Sequence, residues 1–357
     1  MKISEYKNSF SKTFGQYPDN LWLSVRGEPF TIYGLCDPCD GTPFHRFAPE
    51  VGRAISKSVD ELNYNPAGGR VTFASDSPYI ALYATFPVLK ARPNMSPSAT
   101  VGFDVYTIGD DGSQCFIGCM LPDLDSGKNE YMYSINSRTH PGVMKKYLIH
   151  FPIADAVNDV YVGVDKNAQL MPCPSPYQDR KPIVFYGSSI TQGCSVSHPG
   201  YTYENHISRR LRMDYLNFGL SGNGKAEDAI VDYMAGLEMS VFVSDYDFNA
   251  PDCDYLEKTH HRMYEKIRAT HPDIPYIMIT KPDCDMHPKT DAARREVIRR
   301  SYEKAVASGD KNVYFIDGAT LFGDVDRDSC FGDNVHPNDI GHYRMANVIG
   351  EVIQSVL

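Results

Sequence analysis

The second half of the chain alternates apolar strands with helices, and this pattern limits the fold more than any other feature. Strands are predicted at 183–187, 215–219, 241–247, 276–281 and 313–318, and helices at roughly 201–212, 225–238, 254–270, 289–308 and 339–357. Continuous apolar strands are typical of a sheet covered on both faces, and the alternation requires parallel strands with right-handed crossovers. The pattern predicts an α/β/α domain with a five-stranded parallel sheet, where ligands bind at the carboxyl ends of the strands.

The first half has a different pattern, in which short strands with alternating apolar and polar residues are separated by turn residues. Strands are predicted at 69–75, 79–86, 100–108, 114–121, 145–153 and 159–165, with Val51–Leu62 as a weak helix candidate. Many short strands of this kind predict an antiparallel β-sandwich. A proline-rich linker near Met171 separates the two patterns, so the expected domains are 1–174 and 175–357.

Charge and cysteine content indicate the environment of the protein. The 357-residue chain has a net charge of −10, and an acidic surface argues against nucleic acid and membrane partners. No apolar run has the length of a membrane span, and the polar start MKISEYKNSFSKTFG lacks the apolar core of a secretory signal. The nine cysteines are odd in number and scattered, unlike a disulfide framework. We therefore expect a cytoplasmic protein.

Two cysteine pairs have a spacing that would suit a metal. Cys36-x-x-Cys39 is the first, and Cys115 with Cys119 is the candidate for the second pair of ligands that zinc would need. The strand-like surroundings favour structural or incidental thiols over a metal site. Neither a metal nor an organic cofactor is expected.

Polar or glycine residues follow the first three strands of the predicted parallel sheet. Ser189 lies in a tight turn, where a serine can present its hydroxyl near the positive end of a helix. Gly222 lies in a glycine-rich turn, whose backbone N–H suits a developing oxyanion, and the Asn249 amide would be a further donor. Each segment, taken alone, also fits an ordinary turn.

Asp333 and His336 follow the last predicted strand, three residues apart and therefore on one side of a turn. The carboxylate would hold the imidazole in one tautomer, and the imidazole would take the proton of Ser189 as a general base. A capping aspartate and a surface histidine are the ordinary alternatives, since the chain has eleven histidines.

Together these segments resemble the four blocks of the SGNH (GDSL) hydrolases, in the order that the family has them. They read GSSI at 187–190, SG at 221–222, Asn249, and DNVH at 333–336. Two departures from the family pattern are visible. Ser188 replaces the acidic residue that often precedes the nucleophile, and Asp-Phe-Asn-Ala replaces the usual Gly-x-Asn-Asp.

The resemblance implies a flavodoxin-like SGNH hydrolase domain that cleaves esters through an acyl-serine intermediate. Its catalytic triad would be Ser189, Asp333 and His336. The oxyanion hole would consist of the N–H groups of Ser189 and Gly222 with the side chain of Asn249.

The resemblance extends to a two-domain subgroup, in which a jelly-roll-like domain with a Gly-x-Asp-Leu-Tyr signature precedes the hydrolase domain. Gly102-Phe-Asp104-Val-Tyr106 matches that signature with Val for Leu. The same arrangement is similar to carbohydrate acetylesterases, which implies a small or oligosaccharide ester substrate with a short acyl group, acetyl in preference. The exposed edge of such a β-domain would suit packing on the catalytic domain or a homo-oligomer interface.

Four further residues near the strand ends are candidates for substrate binding: His198, Tyr201, Asp247 and His287. Packing within the following helix is the alternative for the first two. Other functions also fit the triad: a thioesterase or lysophospholipase, an acyltransferase, or a carbohydrate-binding protein that has lost catalysis.

Overall fold

A computed structural model describes residues 1–14, 20–90, 92, 95–136, 142–286 and 288–357. The chain divides into two compact units. The first comprises Met1–Arg46, Tyr64–Gln178 and Ser197–Gly200, and the second comprises Phe47–Asn63, Asp179–Val196 and Tyr201–Leu357.

The strands are β1 (Phe10–Ser11), β2 (Leu21–Ser24), β3 (Thr31–Tyr33), β4 (Arg70–Ser75), β5 (Tyr79–Thr85), β6 (Phe103–Ile108), β7 (Gln114–Met120), β8 (Glu130–Asn136), β9 (Lys145–His150), β10 (Asp159–Val164), β11 (Leu170–Met171), β12 (Ile183–Gly187), β13 (Tyr215–Gly219), β14 (Val241–Asp245), β15 (Tyr276–Ile279) and β16 (Val313–Ile316). The α-helices are α1 (Pro49–Ile55), α2 (Lys57–Asn63), α3 (Pro97–Thr100), α4 (Ser189–Gln192), α5 (Tyr203–Leu211), α6 (Asp228–Ala235), α7 (Cys253–Thr270), α8 (Pro288–Ala307) and α9 (Asp339–Val356). Within the described ranges, no helix combines the length and the apolar character needed to cross a lipid bilayer.

The first unit is an antiparallel β-sandwich, as the sequence predicts. One sheet has the order β1-β2-β10-β5-β8, and the other has the order β11-β4-β9-β6-β7, with β3 beside β4. Leu82 and Val162 from the first sheet share one buried apolar cluster with Val71 and Ile149 from the second. Apolar side chains from both sheets therefore form the core of this unit.

The second unit is the predicted three-layer fold, with five parallel strands in the order β13-β12-β14-β15-β16. Successive residues of β12 point to opposite faces. Val184 and Tyr186 pack in one apolar cluster with α6, α7 and α8, whereas Ile183 and Phe185 pack in another with α5 and α9. Burial on both faces explains the uninterrupted apolar strands in the sequence.

The predicted weak helix Val51–Leu62 forms two short helices, α1 and α2, which are separated by the extended residue Ser56. Phe47 and Val59 belong to the apolar cluster around α6 and α7, and Phe47 stacks on Phe218 with ring centroids 6.0 Å apart. A segment from the first half of the sequence thus contributes to the core of the second unit.

Candidate active site

Three neighbouring strands of the parallel sheet end at the same level. Gly187, the last residue of β12, pairs with Gly219 of β13 and with Asp245 of β14. A side chain at position 187 would collide with the carbonyl oxygen of Asp245, so glycine is required for this close approach. The loops that follow β12, β13 and β14 therefore emerge side by side.

The loop after β12 turns directly into helix α4. The Ser188 hydroxyl caps this helix by accepting the Ile190 N–H at 3.1 Å, and the Ser188 N–H donates to the carbonyl of Asp245 at 3.0 Å. Ser189 is the first residue of the helix, and its N–H has no acceptor in the described part of the chain. Its side chain has little exposure, 6% for the residue.

Ser189 is hydrogen-bonded to His336, which is in turn hydrogen-bonded to Asp333. Its Oγ lies 2.9 Å from Nε2 of His336, and Nδ1 of His336 lies 2.8 Å from Oδ2 of Asp333. A histidine that donates from Nδ1 to a carboxylate presents Nε2 as the acceptor for the serine proton. The three predicted triad residues are thus joined in one hydrogen-bonded chain.

Asp333 is held as a carboxylate by its own turn. Its Oδ1 accepts the N–H groups of Val335 and His336 at 2.8 and 2.7 Å. Partial burial acts to raise the pKa of Asp333, but the hydrogen bonds from the His336 ring and from these two N–H groups outweigh it and lower that pKa. The negative charge opposite the imidazole therefore persists down to acidic pH.

The loop after β13 leaves one backbone donor unused. Gly222 has φ of 68°, in the left-handed region that favours glycine, and its N–H has no acceptor among the described residues. The other N–H groups of the loop have the following acceptors: Leu220 donates to Gly187 O (2.9 Å), Ser221 to Gln192 Oε1 (3.1 Å), Asn223 to Leu220 O (2.8 Å) and Gly224 to Leu220 O (2.9 Å). The Gly222 N–H is consequently available to a ligand.

Asn249 follows β14 at the end of a 3₁₀ turn, Asp247–Asn249, and is half-buried. Its Oδ1 accepts the N–H of Gly224 at 3.1 Å, which fixes the orientation of the amide. The amide nitrogen is left as a donor with no acceptor in the chain as described. The three predicted oxyanion donors, Ser189 N–H, Gly222 N–H and the Asn249 amide nitrogen, thus all lack an acceptor among the described residues.

His198 has a structural partner within the first unit. Its Nδ1 pairs with the buried carboxylate of Asp104, and its ring stacks on Phe116 with centroids 4.7 Å apart. Asp104 also accepts the N–H of Gly200 at 2.7 Å. The aspartate of the Gly102–Tyr106 signature therefore holds the segment Ser197–Gly200, and a contact of His198 with substrate stays a prediction.

The other candidates for substrate binding have different surroundings. Tyr201 packs against His206, with ring centroids 5.8 Å apart. Asp247 is buried and accepts the Lys281 N–H at 3.0 Å, and burial raises its pKa to about 6. His287 lies outside the described residues. Substrate contacts by Tyr201 and Asp247 stay predictions.

Asp245, the last residue of β14, is a buried acid next to the nucleophile turn. It is 2% exposed, and its Oδ2 accepts a long hydrogen bond from Thr191 Oγ1 at 3.4 Å. Burial, together with the charge of Asp247, raises the pKa of Asp245 to about 8. The signal in the sequence was an acid at the end of an otherwise apolar strand, VFVSD.

Comparison with known proteins gives family matches for both parts of the chain. Residues 180–354 match the family model described as the GDSL-like lipase/acylhydrolase family, and residues 21–170 match the model for the N-terminus of SGNH-hydrolase-type esterases. No curated protein sequence is similar enough to count as a relative.

Solved structures share the two-unit fold over nearly the whole chain. A Bacteroides ovatus protein described as a GDSL-like lipase is 26% identical, with a TM-score of 0.85 over 95% of this chain and 98% of that chain. A salicylyl-acyltransferase from a tetracycline biosynthetic pathway is 19% identical, with a TM-score of 0.75 over 95% and 98%. An acetyl xylan esterase from Butyrivibrio proteoclasticus is 14% identical, with a TM-score of 0.59 over 94% and 97%. The last two likenesses show the fold alone.

The raised pKa of Asp245 predicts a specific pH dependence of stability. A carboxyl that titrates near pH 4 when unfolded and near pH 8 when folded is bound to its proton more tightly in the folded state, so its contribution to stability falls as pH rises between these values. Asp245→Asn mimics the neutral acid. The free energy of unfolding of this variant, minus that of wild type, should therefore increase between pH 5 and pH 8, by at most about 1.4 kcal/mol per pH unit. Urea unfolding at both pH values measures this gain.

The matched control is Asp324→Asn, which removes an exposed carboxylate of the same unit. We expect no comparable change with pH in that variant. A constant difference between Asp245→Asn and wild type across this range would show that Asp245 is already ionised in the folded protein.

Proposed function

Because this chain belongs to the GDSL-like lipase/acylhydrolase family and is an ester-bond hydrolase, we propose that it is a serine esterase that removes short acyl groups, in particular acetyl, from carbohydrates. The observation that carries the proposal is the hydrogen-bonded chain from Ser189 through His336 to Asp333. The unused donors at Ser189, Gly222 and Asn249 support it, since an acyl transfer needs such groups for the oxyanion.

In the acylation step, Ser189 Oγ attacks the ester carbonyl carbon while Nε2 of His336 takes the hydroxyl proton. The resulting imidazolium is stabilised by the Asp333 carboxylate, which keeps its negative charge. The tetrahedral oxyanion is bound by the N–H groups of Ser189 and Gly222 and by the amide of Asn249. As the bond between the acyl carbon and the sugar oxygen breaks, His336 gives the proton to that oxygen, and the sugar departs as the free alcohol.

In the deacylation step, His336 accepts a proton from a water molecule that attacks the acyl-serine. A second tetrahedral oxyanion forms against the same donors, and its collapse releases the carboxylic acid. The proton returns to Ser189 Oγ, which restores the starting state. Every proton transfer in this cycle is assigned to the imidazole, whose orientation the turn Asp333–His336 fixes.

The substrate class is supported by similarity of fold. Carbohydrate esterases are among the solved structures with this two-unit arrangement, and one of them is an acetyl xylan esterase. A small acyl group is part of the proposal because the sequence shows no long apolar segment suited to an acyl tunnel. The proposal keeps the cytoplasmic location expected from the scattered, odd number of cysteines. An oligomeric state is left as a prediction.

Two adjacent serines allow a sharp test of the nucleophile. Ser189→Ala should lower kcat for p-nitrophenyl acetate by at least about 10³-fold, because it removes the hydroxyl that forms the acyl-enzyme in the proposed mechanism. Ser188→Ala removes a helix cap, at about 1 kcal/mol of stability, and should keep most of the activity. Retained activity in Ser189→Ala would overturn the proposal, and loss of activity in Ser188→Ala alone would move the nucleophile by one residue.

The substrate class is tested by turnover of a graded set of esters. We expect kcat/KM to be highest for p-nitrophenyl acetate, to fall with each longer acyl chain, and to extend to acetylated xylo- or cello-oligosaccharides with release of acetate. Preference for long chains or for acyl thioesters would support a lysophospholipase or thioesterase instead. Transfer of the acetyl group to an added sugar at the expense of hydrolysis would indicate an acyltransferase, and binding without turnover would indicate a carbohydrate-binding protein.

A further inference from the structure

We infer that Gln192 is a positioning residue of this active site, which holds the oxyanion loop after β13 against the nucleophile turn after β12. The inference rests on the proposed function, since it concerns the N–H of Gly222 as an oxyanion donor. Gln192 is the last residue of helix α4, three residues after Ser189. Its Oε1 accepts the N–H of Ser221 at 3.1 Å.

The hydrogen bond from the Ser221 N–H to Gln192 lies one peptide before the peptide that carries the Gly222 N–H, and it can therefore limit the orientation of that N–H. Ser221 directly precedes Gly222, so fixing the Ser221 N–H limits rotation of the backbone that carries the Gly222 N–H. Gln192 itself is 2% exposed, and its amide is therefore shielded from water. The hydrogen bond is partly buried, and losing its acceptor is costly because water replaces a partly buried acceptor incompletely.

A second side-chain amide joins the same two segments. Asn217 in β13 donates from Nδ2 to the carbonyl of Thr191 at 2.6 Å, and its Oδ1 accepts the N–H of Gly219 at 2.8 Å. The two backbones are also in close contact, since a side chain at Gly219 would collide with the backbone N of Gln192. Helix α4 thus binds both strand β13, through Asn217, and the loop that follows it, through Ser221.

If Gln192 positions the oxyanion loop, its loss should affect kcat differently from KM, and this difference distinguishes a positioning role from a general role in folding. An oxyanion donor accelerates the reaction when it is already oriented before charge develops, and it contributes much less to binding of the neutral ester. Loss of the Gln192 acceptor should therefore lower kcat and weaken binding of a tetrahedral anionic inhibitor, while KM changes little. A general loosening of the fold would change KM and thermal stability as well.

The test compares Gln192→Met, which keeps length and removes the acceptor, with Gln192→Glu, which keeps an oxygen at the same position. For p-nitrophenyl acetate we expect Gln192→Met to lose about 10-fold or more in kcat, with KM within about 3-fold of wild type. The inhibition constant of methylboronic acid, whose serine adduct is tetrahedral and anionic, should rise by a similar factor. Gln192→Glu should recover part of both losses.

Ser189→Ala, measured alongside, separates this inference from the proposed function. If Ser189→Ala is inactive but Gln192→Met keeps wild-type kcat and boronate inhibition, the positioning role is wrong and the esterase proposal stands. The inference is also overturned if Gln192→Met changes KM as much as kcat and Gln192→Glu is equally impaired. Activity in Ser189→Ala would reject the proposed function itself.

Discussion

Close backbone contact at the carboxyl ends of three parallel strands is the constraint on which the candidate site depends. Gly187 and Gly219 have no side chains, and the positions that side chains would occupy are filled by Asp245, Thr191 and backbone of helix α4. This contact lets the nucleophile turn, the loop of Gly222 and the turn of Asn249 emerge next to one another. Rigid strands thus set the spacing of groups that all lie on short loops, as a preorganised site requires.

The site contains acids whose environments separate their pKa values. Asp333 lies at the surface end of the hydrogen-bonded chain, and donors from its own turn keep its pKa low. Asp245 lies beneath the nucleophile turn, where burial raises its pKa to about 8. Of these two acids, Asp333 is the one that faces the imidazole. The proposed mechanism therefore places an ionised carboxylate beside His336 and a largely neutral acid below Ser189.

The sequence allowed accurate prediction of elements whose signal is local. The uninterrupted strand IVFYG and the amphipathic helices of the second half need no knowledge of distant residues, and the five-stranded parallel sheet followed from their order. Ser189 was predictable because it closely follows strand β12, and Asp333 and His336 because they lie three residues apart just before the C-terminal helix α9. Their hydrogen bonds agree with the expected arrangement, whereas their catalytic roles are part of the proposal.

Features that depend on distant partners were not predictable in this way. A glutamine in a helix gives no sign that its amide binds the loop of another strand, so Gln192 was missed. The position of His198 close after the nucleophile suggests a substrate contact, and nothing in the local sequence indicates its pairing with Asp104, 94 residues earlier. The raised pKa of Asp245 was unpredictable for the same reason, since the pKa of a carboxyl depends on burial by residues from several elements.

Covalent labelling with a fluorophosphonate, followed by intact-mass and peptide mass spectrometry, tests the central claim most directly, because the probe records which hydroxyl is activated. We predict one adduct per chain, located on Ser189, and a much slower reaction in His336→Ala. An adduct on another residue, or no adduct in a folded protein, would contradict the assignment of Ser189 as the activated nucleophile.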